Sequence, residues 1–174
     1  VSNKAKAKAG IREYRSMGIF GAQKVNVVSA QEAKDMVEEY FAKRGLVAAD
    51  HVLADAGGLG WWLMEGSARV YILVQEGPKD TRGKANTLVR ITAPLVYLPE
   101  TGRELFYRRL LDLNGNLSLC ALSTDDDVVL VVAQRPTTGL DQEELDDMVW
   151  HVAYVADLLD NKLAEEYGCK MYRN

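Results

Sequence analysis

Apolar positions in this chain recur with two different periods, and the places where the period changes mark out its elements. After Ser29, the residues Ala33, Met36, Val37, Tyr40 and Phe41 follow at the three-and-four spacing of one helix face, and Gly45 supplies a stop. Ser29 and Glu32 stand at the separation where each side chain satisfies the other's backbone N–H at a helix start. Asp141 and Glu144 repeat that signature before Leu145, Met148, Val149, Val152, Ala156, Leu159 and Leu163, a stripe closed by Gly168. A middle helix is predicted from Thr101, with Glu104 as its capping partner, to Asn114 and Gly115.

Between the helices the period falls to two. Residues 59–65 and 68–76 read as strands joined by Gly66 and Ser67, a connection whose leading glycine suits the mirror-image turns of tight hairpins. Residues 79–85 are polar and read as a loop. Residues 86–98 read as a long third strand in which Pro94 lacks a ladder donor, which predicts a sheet edge or a bulge there. Residues 117–123 and 128–134 flank 124–127 as a second hairpin, with Cys120 in mid-strand. The predicted fold is a single α+β domain with an antiparallel sheet, in the order helix, three strands, helix, two strands, helix.

The short first turn fixes a register, with Glu65 opposite Ala68, Leu63 opposite Val70 and Trp61 opposite Ile72. Alternation then puts Trp61, Leu63, Val70, Ile72 and Val74 on one face, an expected core set. The other face carries Trp62, Met64, Tyr71 and Leu73 beside Arg69 and Gln75. Leaving those four apolar side chains in water forgoes roughly 1.5–3 kcal/mol each, so a cover is expected: a helix of the same chain, a second subunit or a captured peptide. Trp62, Met64, Tyr71 and Leu73 are therefore the candidate partner-binding residues. In the middle helix Phe106, Tyr107, Leu110, Leu111 and Leu113 sweep an arc of roughly 160°, wider than one sheet face requires. Phe106, Tyr107, Leu110 and Leu111 are the candidate seam of a homodimer, the alternative being a helix sunk between two layers of its own domain.

Composition adds little to this picture and charge adds more. At 174 residues, 48% hydrophobic and 26% charged, the chain has the size of one globular domain and needs no metal or disulfide to hold a core. Residues 1–24 carry Lys4, Lys6, Lys8, Arg12, Arg15 and Lys24 against Glu13, a net of +5; with −4 for the whole chain, the other 150 residues hold −9. The expected layout is a flexible basic arm over 1–25, a domain over 26–168 and a tail over 169–174. Lys4, Lys6, Lys8, Arg12 and Arg15 are candidate contacts for nucleic acid or an acidic partner, and a nucleic-acid-associated adaptor is the alternative function.

Candidate chemistry is sparse. His51 and His151 have no second ligand at chelating spacing, and the distant Cys120 and Cys169 form neither a disulfide framework nor a zinc pattern, so no metal is expected. His151 lies off the apolar stripe, where a solvated or hydrogen-bonded imidazole is expected. Cys120 reads as a small buried hydrophobe and Cys169 as a tail thiol with exposure, neither beside an activating base. Gly57, Gly58 and Gly60 lack the P-loop lysine and the dinucleotide fingerprint; Asp125, Asp126 and Asp127 lack the spacing of a calcium loop. No cofactor and no catalytic set is expected. The longest apolar run, 56–64, is too short and glycine-rich to span a bilayer, no segment reads as a cleavable leader, and a reducing cytoplasm is the expected compartment.

Four stretches resemble a known family. They are 88–95 with Leu98-Pro99-Glu100, the helix 105–114, the turn 135–141 (Arg-Pro-Thr-Thr-Gly-Leu-Asp) and the closing 163–168 (Leu-Ala-Glu-Glu-Tyr-Gly). Together they resemble the bacterial YbjN proteins, similar in fold to type III secretion chaperones of the Tir-chaperone class. The resemblance runs from about Val28 to Gly168; the basic leader and the 79–85 insert fall outside its pattern. It implies a non-enzymatic homodimer with a stress-related or regulatory role that holds a segment of another protein against its sheet. Combined with the predicted edge at Pro94, it suggests an extended client strand added to the sheet there, with pockets around Trp62 and Tyr71.

Overall fold

Two of the three predicted capping boxes form. In a computed structural model that describes residues 14–15, 24–25, 28–56, 59–79, 83 and 85–172, helix α1 spans Ala30–Lys43 behind Ser29 and Glu32, and helix α3 spans Gln142–Tyr167 behind Asp141 and Glu144. Helix α2, Arg103–Asn114, starts one residue later than its sequence predicts. Its cap is Gly102 in the left-handed region (φ 70°) with no side-chain cap bond, and the Arg103 side chain ties the start down by donating to the Pro99 carbonyl at 3.0 Å. Thr101 therefore caps nothing.

Two short strands, β1 (Tyr14–Arg15) and β2 (Lys24–Val25), pair with each other. The main sheet is β3 (Gly60–Glu65), β4 (Ala68–Lys79), β5 (Ala85–Tyr97), β6 (Ala121–Asp125) and β7 (Val128–Pro136), in the antiparallel order β3-β4-β5-β7-β6. The first hairpin has the predicted register, with Gly66 at φ 60° making its turn. One strand expectation resolves to the bulge it allowed, and two change. Pro94 lies in β5, the middle strand, at a bulge between Pro94 and Val96; the missing N–H is absorbed by the irregular ladder, and no edge exists there. The predicted loop at 79–85 is shorter, because Lys79 still pairs with Ala85. Strand β6 begins only at Ala121, since Leu119 takes φ 62° and breaks the extended run, which leaves Cys120 ahead of the strand.

Helices α1 and α3 pack on one face of the sheet. Trp61, Leu63, Val70, Ile72, Val74, Val89, Ile91 and Val131 meet the whole predicted stripe of α3 in one continuous core, and Trp61 is 1% exposed. Helix α2 joins that core through Phe106, whose ring meets the Tyr167 edge at 5.0 Å, and through Leu110. Both were expected at a dimer seam; burial within the chain's own core removes them from any surface a second copy could touch. The C-terminal tail returns to the sheet, where the Tyr97 N–H donates to Lys170 and the Tyr172 N–H to Leu95, continuing the ladder of β5 past the start of β4.

Candidate functional site

Register and alternation assemble a second sheet face, opposite the one on which α1 and α3 pack. Trp62 pairs with Tyr71, Tyr71 with Thr92, Thr92 with Val132 and Val132 with Ala121, so these residues form one row across all five strands. Flanking rows hold Met64 and Arg69 on one side, Leu73, Arg90 and Gln134 on the other. Met64 is 50% exposed, while Trp62, Tyr71 and Leu73 are half-buried.

The partial cover of Trp62 comes from its own chain. The His51 ring meets it edge-on at 5.0 Å, and the Arg69 guanidinium lies 4.8 Å over its face. The same His51 ring touches Phe41 at 5.3 Å, which ties this residue to the core. Leu73 stands somewhat apart. It lines a hollow of about 490 Å³ with Leu53, Ala54, Asp55, Ala56 and Leu59, and a Cβ on Gly60 would sit 2.8 Å from its methyl group. The sequence hairpin supplied Trp62 and Tyr71, but Thr92, Val132 and Ala121 entered the row only when β5, β7 and β6 found their places.

Both edges of the sheet are engaged by the chain itself. Beside β3, Val52 bridges to Trp61 and the Leu53 N–H donates to the Gly60 carbonyl at 2.9 Å. Beside β6, the Asn114 side chain at the end of α2 accepts from the Leu122 N–H at 2.6 Å and donates to the Leu122 carbonyl at 3.1 Å. The strand order corrects the expectation of a client strand entering at Pro94, since β5 lies between β4 and β7 and Pro94 is paired with Leu130 of β7.

The remaining predicted residues fall as follows. On α2, Tyr107 and Leu111 are exposed, Leu111 at 69%. Lys4, Lys6, Lys8 and Arg12 lie outside the described residues, and Arg15 has only its backbone described, in β1. His151 places Nδ1 2.8 Å from the Asp147 carbonyl oxygen, the hydrogen-bonded of the two roles expected of it. Cys169 is buried rather than exposed, because it packs into the core after α3, and burial pushes both its thiol and that of half-buried Cys120 up from the ordinary value. Asp125, Asp126 and Asp127 are exposed at or beside the β6–β7 turn, and among the described residues no group of His, Cys, Asp and Glu is placed to hold a metal. No described helix is long and apolar enough to cross a membrane. Sequence reading missed a further exposed patch on α3, where the Trp150 and Tyr154 rings stack at 5.2 Å.

The chain is similar to known proteins in sequence and in fold. The family model described as "T3SS (YopN, CesT) and YbjN peptide-binding chaperone 1" matches residues 32–174. Among solved structures, a chain of the crystal structure of the ExsC–ExsE complex is similar in fold, with a TM-score of 0.56 at 16% identity over 77% of this chain and 95% of that one. No curated protein matches the sequence.

Proposed function

The chain belongs to the peptide-binding chaperone family that joins type III secretion and YbjN proteins, and from that premise we propose that it holds a partner segment on the helix-free face of its sheet. The observation that carries this reading is the row from Trp62 through Tyr71, Thr92 and Val132 to Ala121. Strands lie about 4.8 Å apart, so the row is about 19 Å long, the reach of roughly six extended residues. Because the row runs across the face of the sheet rather than along an edge, side chains rather than added ladder bonds hold the segment. Trp62 and Tyr71 are the anchors, Met64 the adaptable neighbour and Leu73 a flanking contact. The structural neighbour, itself a complex of two proteins by its description, supports a binding rather than a catalytic role.

The working unit in this reading is a homodimer, with the exposed Tyr107 and Leu111 of α2 at its seam, and its biological setting is stress-related or regulatory. The test of the binding face is titration of extended partner segments against the wild type and the double variant Trp62→Ser, Tyr71→Ser. Removing two aromatic anchors is expected to weaken binding at least tenfold, since each costs about 2 kcal/mol at a well-packed contact. Equal affinity for both proteins would refute the reading.

A further inference from the structure

A cleft of about 430 Å³ opens where β4 and β5 part at the Pro94 bulge and the C-terminal tail takes over pairing with β5. Met64, Arg69 and Pro94 form its rim on the open face, Met171 its tail side, and Asp160 of α3 lines its inner wall. The position of Asp160 is unusual. It is 7% exposed, and none of its partners among the described residues is a cation.

One oxygen of Asp160 is served and the other is not. Oδ1 accepts from the Asn161 backbone at 2.5 Å and from the Asn161 side chain at 3.0 Å. Oδ2 has only the Ser67 hydroxyl, at 3.4 Å. A hydroxyl has one proton to give, and Ser67 directs it to Asp157 Oδ1 at 2.7 Å. Oδ2 is thus left without a close donor inside a cleft. Arg69 shares the cleft, but its guanidinium is drawn onto the Trp62 ring. A buried carboxylate short of donors and of positive charge is costly unless a cation completes it.

We infer that this cleft is an anchor site for one lysine or arginine side chain of the segment held on the open face, an inference that rests on the peptide-holding reading above. The cation sits on Asp160 Oδ2, and its methylene stem runs along Met64, Pro94 and Met171, the way long basic side chains cover apolar surface. The rim residues belong to the candidate face, so a segment lying there reaches the cleft without leaving the sheet. The site thereby adds charge selectivity to a surface that otherwise selects for apolar bulk.

Propylguanidinium, an arginine side chain without its backbone, is the probe, followed by amide NMR shifts on the full chain with butan-1-ol and butanoate as neutral and anionic controls. Saturable shifts at Ser67, Asp160 and Asn161 are expected with the cation alone, weakened at least tenfold by Asp160→Asn. Equal responses to cation and alcohol, shifts centred elsewhere, or unchanged affinity in Asp160→Asn would overturn the site. Because this titration uses no partner segment, its result stands apart from the fate of the face. The link between the two is tested with a segment that binds the face. Changing its basic residues to methionine is expected to cost about tenfold in the wild type and nothing in Asp160→Asn; no cost in the wild type overturns the anchoring role.

Discussion

Trp62 shows how much of a functional side chain its neighbours determine. Alternation along β3 separates it from the buried Trp61, and that much is legible in the chain's pattern of positions. Its contacts with His51 and Arg69 are not, because one partner comes from a short 3₁₀ turn and the other from a diagonal position on β4. Clamped from two sides, the indole presents a fixed surface, which reduces the ordering cost of binding. At the same scale, Asp157 reports on pH. The Ser67 hydroxyl, and after it the Ser67 backbone N–H at 3.3 Å, donate to it and hold its carboxyl below the ordinary aspartate value. A depressed folded value means that the stabilisation is present in full above the unfolded value of about 3.9 and is lost as pH falls through the lower folded one. Urea midpoints followed from about pH 6 down to about pH 3 are therefore expected to fall less steeply in Asp157→Asn than in the wild type.

Helices α1 and α3 announce themselves because a capping box and a stripe are local codes, complete within a few turns. Helix α2 carried the same code at Thr101 and Glu104 yet starts behind Gly102, whose left-handed backbone turns the chain after Pro99 and leaves the hydroxyl outside the helix. Its last residue matters more than its first. Asn114 closes the outer edge of β6 with two hydrogen bonds to Leu122, a contact between residues from different elements that no periodicity reveals. Asn114→Ala is expected to lower stability by about 1–2 kcal/mol and to speed amide exchange at Leu122 beyond that global loss. Strand β5 teaches the complementary lesson. Proline predicts an interrupted ladder, but a bulge in a central strand and a plain edge interrupt it equally well, and only the partner strands distinguish them.

At the scale of the whole molecule, all the helices that join the core do so on one side, and the opposite sheet face, the outer surface of α2 and the Trp150–Tyr154 patch of α3 are among the places where apolar side chains meet solvent. The seam proposed for α2 is narrower than its amphipathic arc suggested, since Phe106 and Leu110 are spent on the core and Leu111 projects at 69% exposure. Leu111→Glu is expected to convert a dimer to a monomer in sedimentation while leaving the circular dichroism of the fold intact; an unchanged sedimentation coefficient places the seam elsewhere. What the chain's own order of residues determined was the element sequence, the first hairpin's register and the core-facing stripe, all of which depend on neighbours a few positions apart. What tertiary structure alone decided was which strand lies at the centre, which apolar groups are already covered, and the meeting of Ser67, Asp157 and Asp160 at one cleft. Those outcomes depend on residues brought together across about ninety positions, where competing pairings bury similar apolar area and only the packed whole selects among them.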